Sequence, residues 1–249
     1  MVDMQESLVL AARRRFHAAM IDRGLLTTNE HGVPSIADSS SAASRAISAL
    51  LLAKIGNEVQ GARLAGQSAG RGFEDFVRIF LDEIFPHLSF VRCGDFTISS
   101  GGHISDYDQY SHLTALEEAI GRDPDLRVAI GRDYIIRPDV VIYREPVEDA
   151  VINSETFIVD EFYALGTPLR SLNNSAPILH ASVSCKWTIR SDRAQNARSE
   201  ALNLIRNRKG KLPHIAVVTA EPMTSRIASL ALGTGDIDCV YHIALDLTP

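Results

Sequence analysis

The sequence is short of cysteine, of long apolar runs and of net positive charge, and each shortage removes a class of protein. Three cysteines in 249 residues (Cys93, Cys185 and Cys239) are too few and too scattered for a disulfide framework or a zinc site. Their scarcity fits a reducing, cytoplasmic compartment. No apolar stretch approaches the roughly 20 residues that a membrane span needs. The N-terminus, MVDMQESLVL, carries acids where a secretory signal carries bases, so export is not expected. Internal repeats, low-complexity tracts and a convincing linker are missing as well, and residues 1–249 are expected to form one domain. The eight histidines lack metal-ligand spacing, which makes His180 and His214 strand residues rather than ligands. Gly70, Gly72, Gly233 and Gly235 do not build a phosphate-binding loop in a strand–turn–helix setting.

What is present is an ordinary globular composition with an uneven charge. Apolar residues make up 45% of the chain, which excludes a disordered or fibrous protein. The formal charge of −6 argues against a surface that binds polyanions indiscriminately. Yet between Ser182 and Lys211 eight basic residues face only two acids, Asp192 and Glu200. A focused basic strip on an acidic protein suggests one anionic ligand held in one place, the alternative being a solvated helix face.

Apolar spacing predicts helices over residues 5–23, 41–57 and 72–85, with a polar loop at 27–41 and a Gly-rich break at 61–72. Pro86 ends the third helix. Short strands are expected at 88–92 and 95–99, and helical pieces at 113–120 and 126–130. Residues 134–143 (YIIRPDVVIY) are β-branched and aromatic and read as a strand, which Pro138 confines to an edge or marks with a bulge. A further strand is expected at 156–159. From residue 178 the pattern alternates: strand 178–187, helix 191–208, strand 214–219, helix 224–232, strand 237–243. That order implies parallel crossovers and an α/β sheet.

Two groups of residues carry chemistry. Asp139 follows Pro138 on one strand, and Lys186 lies near the end of another. An acid and a lysine on neighbouring strand ends suit metal-dependent phosphodiester cleavage: the carboxylate holds a divalent cation, and the lysine sits by the attacking water and the scissile phosphate. Residues two apart on a strand share a face, so Ser184 points the same way as Lys186. Serine is a poor metal ligand, and Glu200 on the following helix is available as the second acid. Cys185 points to the opposite face, where its thiol packs, although its carbonyl could still reach a metal. The second group, Arg190-Ser191-Asp192-Arg193, stands where strand gives way to helix. Arginine forks hydrogen-bond guanine O6 and N7 in the major groove, and an aspartate accepts from cytosine N4. The competing reading makes Ser191 or Asp192 a helix cap, with the arginines paired to nearby acids. Trp187 could stack on a ligand but is more often core.

At these residues the chain resembles the CCGG-recognising type II restriction endonucleases. The segment SCKWTIRSDRAQNARSEALNLIRNRKGKLPHIAVVTAEP carries the likeness most fully. It extends to LLTTNEHGVPSIADSSS, LAGQSAGRGFEDF, YDQYSHLTALEEAIGRDPDL, DYIIRPDVVI and SRIASLALGTGDIDCVYH. The resemblance implies a PD-(D/E)XK restriction-endonuclease-like fold of the α/β class, a mixed central β-sheet flanked by α-helices. It implies the relocated-acid pattern PD…(S/C)K…E, with Asp139, Lys186 and Glu200 as active-site residues and Glu74 as an additional acid. Asp139, Glu200, Glu74 and the carbonyl of Cys185 would then hold Mg2+, two ions per active site. Arg190, Asp192 and Arg193 match the element that reads CCGG. Arg226 and Asp38 match positions that read an outer G·C pair, and Gln67 matches a minor-groove contact. The implied partners are double-stranded DNA and further copies of the chain, as a homodimer or homotetramer, with no membrane. The implied activity is Mg2+-dependent cleavage of a palindrome, GCCGGC, leaving 5′-phosphate and 3′-hydroxyl ends. Relatives are expected to continue past Pro249 into further C-terminal helical structure. Two other readings stand beside this one. A PD-(D/E)XK repair nuclease would not need Arg-Ser-Asp-Arg beside its lysine, and a DNA-binding module that has lost catalysis would not need Asp139, Lys186 and Glu200 intact.

Overall fold

The computed structural model describes residues 6–56, 60–61, 64, 66–91, 94–123, 125, 128, 136–233 and 235–244. Five strands make one sheet in the order β1 (Phe96–Ser100), β2 (Val140–Arg144), β3 (Ile178–Lys186), β4 (His214–Thr219), β5 (Cys239–His242). The first three run antiparallel, and β3, β4 and β5 run parallel. The parallel half is linked by α6 (Ser191–Asn207) and α7 (Thr224–Ala231), as the alternating pattern of the last third requires. This mixed sheet with flanking helices is the architecture the resemblance implies.

Each face of the sheet carries its own core. One face packs against α1 (Leu8–Asp22), α2 (Ala42–Ile55) and α3 (Gly66–Ile84). Met20, Leu52, Phe73, Phe76 and Val77 meet Val140, Ile142, Val183 and Cys185 there. Trp187 joins them edge-on to Phe73, 5.3 Å between ring centroids, and so belongs to the core. The other face packs against α4 (His112–Arg122), α6 and α7, where Leu113, Ala197, Ala201, Leu204 and Leu230 meet Val141, Ile215 and Val217, and the short helix α5 (Asp149–Ile152) lies in the connection between β2 and β3. Strand parity therefore sends Cys185 into one core and leaves Ser184 and Lys186 facing the side of α6. A bulge separates the two ends of β3: Ile142 pairs with Ala181 and Tyr143 with Leu179, so His180 has no opposite residue. His180 fills the gap with ring contacts to Phe85, Phe96 and His214.

Four details differ from the expected pattern, each for a local reason. Helix α3 starts at Gly66 rather than 72, running through the glycines. A Cβ on Gly72 would stand 3.1 Å from the Leu25 side chain, so the bare backbone permits a close approach instead of breaking the helix. Residues 88–91 form no strand: Phe85–Leu88 is a 3-10 turn, and Val91 N donates to Leu88 O at 3.0 Å, closing the chain on itself. Residues 156–159 form no strand either. The Asn153 side chain takes the backbone groups that pairing would need, accepting from Ile158 N and Val159 N at 2.8 and 2.9 Å and donating to Val159 O at 2.8 Å. Pro138 marks neither an edge nor a bulge. Strand β2 lies between β1 and β3 and begins only at Val140, and the bulge sits at its other end. Residues 134–135, Cys93 and, apart from residue 128, the helical piece at 126–130 lie outside the described residues. Among the described residues no helix is long and apolar enough to cross a membrane.

Candidate active site

The antiparallel register explains where Asp139 comes to lie. Val140 pairs with Val183, so continuing the ladder would set Pro138 opposite Cys185. Proline has no N–H to give, and β2 starts after it. The Asp139 carboxylate takes the place of a strand partner, its Oδ2 accepting from Cys185 N at 2.7 Å. Its backbone carbonyl accepts from Gly101 N at 3.1 Å, which fixes the residue from the β1 side. The same Oδ2 accepts from Lys186 Nζ at 3.2 Å. Lys186 Nζ also lies 3.7 Å from Glu200 Oε2, and Ser184 Oγ donates to that oxygen at 3.0 Å. The structure therefore brings Asp139, Lys186 and Glu200 into one cluster at the end of β3. Serine at 184 serves as a donor that orients the Glu200 carboxyl.

The cluster carries an excess of negative charge. Burial raises the Glu200 carboxyl above its ordinary value, with the Asp139 charge adding to the rise and Lys186 opposing it. Burial and the charge of Asp139 likewise raise Glu74, on the face of α3 toward the cluster, and Lys186 opposes this. Burial disfavours the Lys186 ammonium, but the carboxylates of Asp139 and Glu200 outweigh it and raise its pKa. Burial pushes the Cys185 thiol well up, which keeps it a neutral packing group. In a strand a residue's N–H and C=O point to the same edge, so the Cys185 carbonyl faces the side on which Asp139 lies. Among the described residues no three His, Cys, Asp or Glu side chains already stand at metal-binding spacing. Nevertheless the donors are hard oxygens, and two carboxylates resist ionisation beside a third. This chemistry fits a divalent cation of the Mg2+ type better than a soft one.

Beyond Lys186 the chain runs through buried Trp187, Thr188 and Ile189 to Arg190, which is the N-cap residue of α6. No side chain caps this helix, so neither Ser191 nor Asp192 plays the capping role. Arg190 and Asp192 are exposed, and Asp192 sits in the first turn, where its charge suits the helix dipole. Arg193 is steadied by Nη1 donating to Thr188 O at 3.2 Å and to Thr188 Oγ1 at 3.1 Å. An open cleft of about 700 Å³ is lined by Arg190 and Ser191 on one wall and Asp38, Ser40 and Arg226 on the other. Arg226 Nη2 meets Asp38 Oδ2 at 2.8 Å. Bonds from Ser40 and Arg226 hold the Asp38 carboxyl well below its usual range, and Asp38 in turn raises Arg226. A smaller cleft of about 300 Å³ is lined by Gly66, Arg190 and Arg193. Gln67 is exposed in the first turn of α3, beside that rim. Of the expected reading residues, Arg190, Arg193, Arg226 and Asp38 thus line two adjoining clefts that share Arg190, whereas Asp192 and Gln67 are exposed and line neither.

The sequence reading missed Glu221. It lies just past β4, and its side chain is fully buried. Its Oε2 accepts from Ile189 N at 2.8 Å, and its Oε1 from Met223 N at 3.1 Å and from Arg226 Nη1 at 3.4 Å. The available signal was an acid placed directly after the apolar strand IAVVTA and before a proline.

The model of the NgoMIV restriction enzyme family matches residues 16–248. The chain is 50% identical over 238 residues to the type II restriction enzyme NgoMIV of Neisseria gonorrhoeae, covering 94% of this chain and 83% of that one. Among solved structures, the type IIF restriction endonuclease Bse634I with cognate DNA aligns with a TM-score of 0.40 at 14% identity, covering 80% of this chain and 78% of that one. A second Bse634I structure aligns with a TM-score of 0.37 at 14% identity, covering 73% of each chain.

Proposed function

Because the chain belongs to the NgoMIV restriction enzyme family, we propose that it is a type II restriction endonuclease that cuts both strands of palindromic DNA at GCCGGC. The observation that supports this reading best is the joining of two parts within a few residues of β3. Lys186 contacts both Asp139 and Glu200, and Arg190 opens the next helix beside the cleft that holds Asp38 and Arg226.

Asp139, Glu200, Glu74 and the carbonyl of Cys185 are the groups that would hold Mg2+, two ions per active site. An ion held by these groups would supply Lewis-acid stabilisation of the scissile phosphate and of the attacking water. Lys186 holds its ammonium against both the Asp139 and Glu200 carboxylates, where it stabilises charge that builds on the phosphate oxygens as water attacks in line. Ser184 keeps Glu200 turned toward that ammonium. The products carry 5′-phosphate and 3′-hydroxyl ends.

Recognition is assigned to the clefts. The forks of Arg190 and Arg193 address the two guanines of a half-site, and Asp192 accepts from the cytosine amino groups. Arg226 and Asp38 form a ready-made donor–acceptor pair for the outer G·C pair, and Gln67 reaches the minor groove. A palindrome presents two identical half-sites, so a two-fold homodimer is the smallest active unit. Pairing of dimers into a homotetramer is supported by the excursion between β2 and β3. Phe157, Phe162, Tyr163 and Leu172 are all more than 60% exposed there, a surface of the kind that partners cover. The whole chain acts as one endonuclease domain in the cytoplasm.

A supercoiled plasmid carrying GCCGGC, incubated with and without Mg2+, tests the reading. Discrete fragments that need Mg2+ and map to the site support it. Smeared products or junction cutting would make the protein a repair nuclease, and binding without cutting would make it a recognition module.

A further inference from the structure

The feature that the reaction and the base contacts leave unused is a buried carboxylate. Glu221 is fully enclosed, and an enclosed anion is tolerated only where donors surround it. Its donors come from two different places. Ile189 N belongs to the segment from which Arg190 projects, with Ile189 itself 1% exposed. Met223 N and Arg226 Nη1 belong to the start of α7. The backbone of Glu221 is pinned as well, its N donating to Thr219 Oγ1 at 3.1 Å and its carbonyl meeting His242 Nε2 at 3.0 Å.

The consequence for Arg226 is geometric. Its Nη1 is held by Glu221 and its Nη2 by Asp38, so two anchors fix the plane of the fork. With one anchor a guanidinium can swivel about that contact; with two it presents its remaining N–H groups in a set direction. The side chain is one-third exposed, so that free edge opens to the cleft shared with Arg190.

We infer that Glu221 is a positioning residue that couples the two halves of recognition: one buried carboxylate sets both the backbone beneath Arg190 and the fork of Arg226. The inference rests on the reading of this cleft as the base-reading surface and adds a dependence that neither reader has alone. The inner and outer base pairs are read by one rigid unit, and loosening its centre degrades both.

Glu221→Gln isolates the effect. Glutamine has nearly the same volume, but one oxygen becomes an amide that donates, and every group facing that carboxylate is itself a donor. One of the two sides must let go. The measurement is binding to duplexes carrying GCCGGC, ACCGGT and a scrambled site at fixed salt, for wild type, Glu221→Gln, Arg226→Ala and the double variant. The expected result is a loss of about tenfold or more in discrimination between GCCGGC and ACCGGT for Glu221→Gln. The preference for GCCGGC over the scrambled duplex should also fall. In the Arg226→Ala background Glu221→Gln should take nothing further from outer-pair discrimination, because the group it orients is gone. A purely structural role would weaken all three duplexes alike, or its effect would multiply with that of Arg226→Ala; either result overturns the inference, as does undiminished discrimination. If wild type itself does not distinguish GCCGGC from ACCGGT, the reading of the cleft fails and the inference falls with it. Glu221→Asp keeps the charge but shortens the reach by one methylene. It gives the same cycle should the glutamine variant not fold, with the same non-additive pattern expected and the same multiplicative pattern contradicting.

Discussion

The proposed cutting centre and the proposed reading cleft stand at the same end of the sheet and solve opposite electrostatic problems. In the centre the carboxylates of Asp139, Glu200 and Glu74 act on one another around the ammonium of Lys186. Burial together with that crowding raises both glutamates. In the cleft each carboxylate is answered: Asp38 by Ser40 and Arg226, and Glu221 by two backbone N–H groups and Arg226. The first region is short of positive charge and is suited to receive a cation. The second is a closed circuit of charge that holds a shape before DNA arrives. On the proposed reading, cleavage is conditional on the cation that binds, whereas recognition is pre-organised.

The largest expected effect breaks the centre and spares the cleft. Lys186→Ala should lower single-turnover cleavage of GCCGGC by about 10²–10³-fold, and a rate within about tenfold of wild type would remove Lys186 from the catalytic set. Glu200→Ala comes next. Its cleavage should be severely impaired because Ser184 offers no carboxylate in its place, and Ser184→Glu in the same chain should restore part of the rate. Full activity in Glu200→Ala alone, read in the same plasmid assay, would contradict the relocated acid. The cleft is broken by Arg193→Ala. That variant should lose about 1–3 kcal/mol of preference for CCGG over scrambled duplex, whereas Lys209→Ala, lacking a phosphate contact, should weaken both alike. An equal loss on both duplexes for Arg193→Ala would make it a backbone contact.

The smallest effect sharpens the comparison through pH. Glu74 is raised above 4.5 in the folded chain, so the folded state holds its proton to higher pH than the unfolded state does. The contribution of Glu74 to the stability of the metal-free protein is therefore fully present below 4.5 and is lost as pH rises through the folded value. Glu74→Gln mimics the protonated form and removes that loss. Its melting temperature should match wild type at low pH and exceed it by about 1–2 °C at neutral pH. Mg2+ should stabilise wild type more than Glu74→Gln. A melting temperature lowered at neutral pH by the substitution would contradict the charge imbalance.

The parts of the site legible in the sequence are those whose partners are close along the chain or follow from strand parity. Ser184 and Lys186 share a face by period-two alternation, and Glu200 is the acid available on the next helix, whereas the pattern that joins them to Asp139 is what the resemblance implies. The alternation of residues 178–243 likewise yields the parallel half of the sheet. What the sequence hides is set by distant neighbours. Residues 156–159 have a strand-like composition, but no strand lies alongside and Asn153 captures their backbone. The helix of residues 66–72 looks broken by glycine until Leu25 is seen packing on Gly72. At Glu221 the sequence offers only an acid between an apolar strand and a proline, because its meaning comes from Ile189 and Arg226 approaching from separate elements. Arg170 is similar. Its 1% exposed side chain bonds Asp149 at 2.8 Å and the carbonyls of Asp160 and Tyr163, so it organises the excursion that propensity mistook for a strand.

The division between a centre that waits for a cation and a cleft already set for bases is tested most directly by a gel shift of Lys186→Ala. The variant is titrated onto GCCGGC and scrambled duplexes at fixed salt, with Mg2+ present. The account predicts that Lys186→Ala keeps the wild-type preference for GCCGGC and leaves the bound duplex uncut. Loss of that preference together with cleavage would contradict it, because reading would then depend on the cutting centre.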